Sequence, residues 1–245
     1  DHRDLQSFPT GRSSGVKARV TKLLTDSNKN VTGVVYEKDG KQHNETGPVV
    51  LATGGFGADF SPDSLLHEVS QEWRKLSAWK DIPNLPDLMT LPTTNGEHCT
   101  GDGVKMAVEI GAGTIDMEAV QVHPTGLVHP EEPDAKLKFL AAEALRGVGG
   151  ILLDANGRRF CDDLGKRDYV TGMMWKNKGP FRLVLNSKAS AEIEWHCKHY
   201  IGRGLMKHFK SGHDLAREMG IPSSQLDAEF KRCNEYAAKN NDPWG

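Results

Sequence analysis

The sequence has no long apolar run and no excess of charge of either sign. Its longest apolar runs, such as residues 49–52, are the length of a strand, well short of the roughly 18 residues that a membrane helix needs. Lys and Arg total 31 against 33 Asp and Glu, and the two signs are interspersed, whereas a nucleic-acid-binding protein needs a basic stripe. We therefore expect a soluble intracellular protein that neither binds nucleic acid nor enters a membrane, with mitochondrial, glycosomal and cytosolic locations all open.

The cysteines lack the spacing of a metal site or of a disulfide framework. They lie at Cys99, Cys161, Cys197 and Cys233, so that no two form a CxxC pair. Structural zinc sites take their thiolate ligands from closely spaced pairs, and small secreted domains carry dense cysteine frameworks. The sequence predicts reduced thiols and no bound metal.

The first part of the chain reads as strands followed by a glycine turn. Residues 16–25 and 31–38 are rich in β-branched and apolar side chains and are separated by turn formers, which predicts two strands of a three-stranded meander. Residues 48–53 form a continuous apolar run, typical of a strand buried on both faces, and are predicted as the third strand. Gly54 and Gly55 follow it directly, as a plain turn or as a place where backbone approaches a ligand.

Helical patterns occupy three later segments. Residues 64–76 and 104–112 carry apolar side chains at helical spacing, with Asp102 as the expected N-cap of the second helix. Residues 187–239 read as a helical tail whose last helix begins near Ser223. The fold class is α/β (α+β), and a change to polar loops after Met117 places a domain boundary between residues 1–118 and 119–245.

Three charged residues in these polar loops admit two interpretations. Glu143 and Arg146 have the spacing of an ordinary ion pair on a helical turn, a pattern common on protein surfaces. Arg167 could form a salt bridge with Asp168 or Asp163. The functional interpretation is a catalytic role, which depends on the motifs that surround these residues.

Several short motifs occur in a fixed order, at residues 47–56, 94–96, 100–103, 121–126, 141–147, 157–160 and 166–168. Their order and content resemble the fumarate reductase and succinate dehydrogenase flavoprotein family over roughly residues 16–245. The short gap between Glu143 and Arg167 and the inserted segment 127–140 are most similar to the soluble eukaryotic fumarate reductases.

The resemblance implies that residues 1–118 are part of an FAD-binding Rossmann-like domain and that residues 119–245 are a capping domain, in part. The family's GxGxxG fingerprint and the later residues of its dicarboxylate clamp do not occur in the sequence. The chain therefore looks like an internal fragment, which we expect to bind FAD weakly or not at all and to be inactive by itself. The FAD contacts implied by the resemblance are Thr53, Gly54, Gly55, Thr100, Gly101 and Asp102.

The implied activity is the reduction of fumarate to succinate, with a hydride from the flavin and a proton from an arginine. By resemblance, Arg167 is the proton donor, and Glu143 and Arg146 relay protons to it. His123 and Thr125 are the residues expected to bind the substrate. The electron donor is left unassigned.

Two alternatives remain open at this point. One is a reductase of another unsaturated acid, or the reverse oxidation of succinate. The other is a truncated, non-catalytic homologue that acts as a structural subunit. The sequence also departs from many relatives at Ala142, where a threonine hydroxyl would bind substrate carboxylate, although eukaryotic members also carry alanine there.

Overall fold

The computed structural model describes residues 17–244 and divides the chain into two compact units. The first unit holds the residues up to Leu66 together with Glu97–Met117, and the second holds His67–Gly96 and the residues from Glu118 onward. The predicted boundary near residue 118 stays a prediction. In chain order the elements are β1 (Arg19–Thr25), β2 (Val31–Lys38), β3 (Lys41–Thr46), α1 (Leu65–Trp73), α2 (Asp102–Glu109), β4 (Gly126–Leu127), β5 (Phe139–Leu140), α3 (Ala144–Gly147), β6 (Ile151–Leu153), α4 (Arg167–Lys176), β7 (Arg182–Val184), α5 (Ser187–Glu192), α6 (Glu194–Gly202), α7 (Gly212–Met219) and α8 (Ser223–Lys239).

The first unit contains an antiparallel meander in the order β1-β2-β3. Leu23 pairs with Val34, which in turn pairs with Glu45. The turn between β1 and β2 is held by Asp26, whose carboxylate accepts the backbone N–H groups of Asn28 and Asn30, each at 2.8 Å. The two predicted strands at the start of the chain are thereby confirmed, with β1 beginning at Arg19; residue 16 lies outside the described residues.

The prediction of a third strand at residues 48–53 is wrong. The third strand of the meander is Lys41–Thr46, which is exposed along its whole length, and residues 48–53 have no regular secondary structure. Val50 is 87% exposed and Leu51 is 47% exposed. A strand that is apolar on both faces is stable only between neighbouring strands, and within residues 17–244 no segment pairs with 48–53.

Helix α2 begins one residue away from the expected position. Its N-cap is Gly101, with φ 71°, and Asp102 is the first helical residue, so the prediction of Asp102 as N-cap is wrong. The left-handed backbone at Gly101 costs glycine little. Asp102 still favours the helix, because a carboxylate in the first turn stabilises the helix dipole.

The second unit is built around the short antiparallel pair β6 and β7. Leu153 of β6 is fully buried in a cluster with Leu215 of α7 and Leu226 of α8. The predicted start of the last helix near Ser223 is confirmed. Leu152, on the opposite face of β6, packs with Phe160 and residues of α4, so that the sheet positions α4 as well.

A tryptophan cluster and two hydrogen bonds hold the segment before residue 123 against α1 and α4. Trp73 is fully buried, and its ring centroid lies 5.3 Å from that of Trp79 and 6.3 Å from that of Trp175 in α4. Its indole N–H donates to the carbonyl of Val120 at 3.0 Å, and the hydroxyl of Thr171 in α4 donates to the carbonyl of Val122 at 3.3 Å. The segment that leads to His123 is therefore hydrogen-bonded to α4.

None of the helices in residues 17–244 is both long and apolar enough to cross a membrane. All four cysteines are free thiols, and Cys161 and Cys197 are buried. Burial raises the pKa of the Cys161 thiol to about 12, so this side chain packs as a small apolar group rather than reacting as a thiolate.

Candidate active site

In the first unit the predicted cofactor residues form two segments that contact each other. The backbone N–H of Gly101 donates to the carbonyl of Gly55 at 3.1 Å. A Cβ added to Gly103 would lie 2.1 Å from the hydroxyl oxygen of Thr53. The loop after residue 52 therefore lies directly against the start of α2, and this close approach requires glycine at position 103.

The loop after residue 52 and the start of α2 have room and hydrogen-bond donors for a dinucleotide. An added Cβ at Gly55 would meet no atom within 4 Å, and Gly54 takes a left-handed backbone with φ 75°. The first N–H groups of an α-helix have no intrahelical acceptor, and together with the helix dipole they attract phosphate oxygens. The Asp102 carboxylate accepts from the Thr100 hydroxyl at 2.8 Å and keeps capacity for further donors. These residues fit the pyrophosphate and hydroxyl groups of FAD.

The second unit brings the predicted catalytic residues together around Arg167, the first residue of α4. One terminal nitrogen, Nη1, donates to Gln121 Oε1 at 2.5 Å, and Nη2 donates to Glu143 Oε2 at 2.8 Å. The alternative partner Asp163 forms its ion pair with Arg159 instead, at 2.5 Å. The Arg167 side chain is 35% exposed, and the two contacts use two of the five N–H groups of the guanidinium, leaving donors for a ligand.

Glu143 and Arg146 form the predicted i, i+3 pair, in which the Glu143 side chain is exposed and Arg146 is buried. Glu143 is the N-cap of α3, and its Oε1 lies 3.5 Å from Nη2 of Arg146, whose side chain is only 3% exposed. Arg146 Nη1 donates to the carbonyls of Asp163 at 2.5 Å and Gly165 at 3.2 Å. The hydrogen bond from Arg167, and then its charge, holds the pKa of Glu143 below its usual value. Glu143 therefore contacts two guanidinium groups as a carboxylate.

His123 is half-buried, and its ring has a defined tautomer. The backbone N–H of Thr125 donates to His123 Nδ1 at 3.2 Å, so Nδ1 is an acceptor and the ring proton resides on Nε2. Burial, and next the charges of Arg167 and Arg146, lower the pKa of His123. The ring is therefore neutral near neutral pH and presents Nε2–H as a donor.

Thr125 is placed to support His123 rather than to face a ligand. It is 6% exposed, and its hydroxyl lies 3.1 Å from His123 Nδ1. Its carbonyl accepts the N–H of Ala141, which ties the histidine turn to the segment that leads into α3. The predicted substrate-binding role of Thr125 stays a prediction. The contacts favour a role in which Thr125 orients His123 instead of contacting the substrate itself.

A cavity of about 340 Å³ in the second unit is lined by His123, Glu143 and Arg167. The sequence interpretation missed Gln121, although it begins the motif 121–126, and it missed the wall formed by α6. The signal for that wall is a run of aromatic and imidazole side chains at i, i+4 spacing on one helix. The cavity-lining residues of α6 are Trp195, His196, His199 and Tyr200.

The chain resembles known flavoproteins over most of its length. Residues 11–243 match the FAD binding domain family. The chain is 49% identical to the fumarate reductase of Schizosaccharomyces pombe over 92% of its own length and 41% of that protein's. It is 35% identical to fumarate reductase 1 of Saccharomyces cerevisiae, covering 88% of this chain and 43% of the relative. It therefore spans less than half the length of these curated relatives.

A solved structure supports the same assignment. The open conformation of a flavocytochrome c3 fumarate reductase superposes with a TM-score of 0.61 at 26% identity, over 92% of this chain and 36% of that one. The mixed helix and strand content and the FAD-binding fold predicted from the sequence are thus confirmed. Since the family match spans almost every residue, this chain belongs to the FAD binding domain family.

Proposed function

We propose that this protein reduces fumarate to succinate with FAD as its cofactor. The observation that carries the proposal is the Arg167 guanidinium, held between Glu143 and Gln121 at a cavity that also contains His123. The two fumarate reductases at 49% and 35% identity support the same activity. Bound FAD would supply the hydride, since no protein side chain can.

The donors of the cavity suit an unsaturated dicarboxylate. Neutral His123 offers its Nε2–H to one carboxylate oxygen, while Arg167 adds positive charge and N–H groups that are free of its two protein contacts. Donors fixed before the substrate arrives orient the double bond and stabilise the charge that grows next to a carboxylate as hydride is added. Binding and orientation thus come from the same side chains.

Arg167 is also the proposed donor of the proton. Hydride addition at one alkene carbon leaves the other carbon to take a proton, and an arginine loses its own only above about pH 12 in water. The cost falls if another group replaces that proton during the transfer, and Glu143 is in direct contact at 2.8 Å. Arg146 touches the second oxygen of Glu143 and extends this path away from Arg167.

The experiment is anaerobic reoxidation of the dithionite-reduced flavin in the full-length protein, with fumarate and acrylate compared as acceptors. We expect a kcat/KM for fumarate about 10- to 100-fold higher than for acrylate, since the second carboxylate adds a charged hydrogen bond. Acrylate deserves comparison because the NADH:acrylate oxidoreductase of Vibrio harveyi is 25% identical over 92% of this chain. Equal rates would favour a reductase of other unsaturated acids, and a purified protein without a flavin spectrum would favour a structural subunit.

Replacing Gly103 by alanine is expected to lower the FAD content of the purified full-length protein. The new Cβ would lie 2.1 Å from Thr53 Oγ1, so the start of α2 must move away from the loop that carries Gly54 and Gly55. Overpacking of this kind costs about 1–3 kcal/mol. The measurement is the ratio of flavin to protein absorbance. Gly113→Ala is the matched control, since its Cβ meets nothing within 4 Å; equal FAD content in both variants would contradict the proposed cofactor site.

A further inference from the structure

Tyr200 is a buried side chain that lines the cavity of Arg167 and takes no part in the chemistry described so far. It lies on α6, is 4% exposed, and shares the cavity wall with Ala142 and Glu143. We propose that the Tyr200 hydroxyl donates a hydrogen bond to a carboxylate of the bound substrate. This inference rests on the proposed function and names a further specificity residue for the same site.

The hydrogen bonding of Tyr200 leaves its own proton available. The phenolic oxygen accepts the backbone N–H of Ala142 at 2.8 Å. A phenol has one O–H donor in addition to its acceptor capacity, and accepting a hydrogen bond makes that donor stronger. The contact with Ala142 therefore fixes the oxygen at the cavity wall without using the proton.

The ring is held rigidly, so the hydroxyl keeps its position before a ligand binds. Tyr200 packs in a core cluster with Ala141 and Leu145, both almost fully buried. The ring of Phe139 lies edge-on to it with centroids 5.8 Å apart. A donor whose side chain is already ordered loses little entropy on binding.

The neighbouring residues explain why a donor is useful at this wall. Ala141 and Ala142, which line the cavity, have no polar group in their side chains. The carboxylate of Glu143 next to them would repel an anionic substrate, although Arg167 and Arg146 offset its charge. A neutral hydroxyl at Tyr200 provides a contact for a substrate carboxylate on this side. This contact favours the binding of dicarboxylates over acids whose second group is apolar.

The test uses the FAD-loaded full-length protein and the variant Tyr200→Phe. The first readout is the dissociation constant of malonate, a dicarboxylate that cannot be reduced, followed through the flavin absorption spectrum; the second is the KM for fumarate. Loss of one hydrogen bond to a charged group is expected to raise both by about 10- to 100-fold, with kcat changed by less than about threefold. Tyr236→Phe on α8, outside the cavity, is the control and is expected to change neither value.

A second variant separates binding from positioning. Adding Ala142→Thr to Tyr200→Phe places a hydroxyl on an adjacent cavity residue and is expected to restore part of the malonate affinity. A loss confined to kcat, with malonate binding unchanged, would show that Tyr200 only positions Glu143 and would overturn the inference. If the unmodified protein reduces fumarate and Tyr200→Phe binds malonate normally, only the inference about Tyr200 is contradicted. If the unmodified protein neither binds malonate nor reduces fumarate, the proposed function is contradicted as well.

Discussion

Replacing Arg167 by lysine in the FAD-loaded full-length protein is expected to lower fumarate turnover by about two to four orders of magnitude. Lysine keeps a positive charge but loses the planar fork, whose two terminal nitrogens donate separately to Gln121 and Glu143 in Arg167. Both the orientation of the substrate carboxylate and the route by which the proton is replaced are then lost. The fumarate turnover of Arg167→Ala is expected to fall by at least as much.

The measurement is fumarate-dependent reoxidation of the reduced flavin, together with the flavin content of each variant. The flavin content should stay unchanged, because the proposed FAD contacts belong to residues 53–55 and 100–102. Arg158→Lys is the matched control, since Arg158 is exposed, and it should keep full activity. A turnover above about a tenth of the parental value in Arg167→Lys would exclude Arg167 as the proton donor.

Replacing Asp163 by alanine is expected to cost about 3–5 kcal/mol in the free energy of unfolding, the range for breaking a buried ion pair from one side. Asp163 is 4% exposed. One carboxylate oxygen accepts from Arg159 Nε at 2.5 Å, and the other accepts the backbone N–H of Leu152 at 2.6 Å. Removing the carboxylate leaves the Arg159 charge, only 10% exposed, with Asp242 as its remaining ion-pair partner.

Urea denaturation of the full-length protein, followed by tryptophan fluorescence, measures this effect. All five tryptophans of the sequence, including Trp73 and Trp175, belong to the second unit. Glu235→Ala on α8 is the control, because it removes an exposed carboxylate and should change the free energy of unfolding by less than about 0.5 kcal/mol. If Asp163→Ala were no less stable than this control, the Arg159–Asp163 pair would not be part of the folding core.

Asp163 also connects stability with the proposed catalytic path. Its backbone carbonyl accepts from the buried Arg146, whose other terminal nitrogen faces Glu143. The Nε of Arg146 is buried without a hydrogen-bond partner in the described structure. A buried donor of this kind is costly, so the position of Arg146 depends on the carbonyls around it, and a shift of Asp163 should reduce turnover as well as stability.

The local elements that could be predicted from the sequence are those whose pattern is complete within a few residues. Strand β2 and helix α8 begin where turn formers and Pro222 place them, because alternation and helical spacing involve only near neighbours. The third strand could not be predicted correctly. Residues 48–53 are apolar, but whether such a segment forms a strand depends on partners elsewhere in the fold, and the described residues offer none.

By itself the sequence determined the residue types of the candidate site and the family to which they point. Motifs at residues 53–55, 100–103, 121–126 and 141–147 carry that information, because the chemistry of FAD and of a dicarboxylate requires particular side chains and glycines. Local spacing also predicted that Glu143 would meet Arg146, since residues three apart on a helical turn are neighbours.

Only the tertiary structure decided which charges meet and which are buried. Arg167 contacts Glu143 across 24 residues rather than its neighbour Asp168, Arg146 is buried instead of exposed, and Tyr200 reaches Ala142 across 58 residues. The physical reason is that an ion pair or hydrogen bond forms wherever packing leaves two groups within about 3 Å, and the packing of α4 and α6 against the segments before α3 is set by the core as a whole. For residues that lie this far apart in the chain, the sequence separation does not predict such contacts.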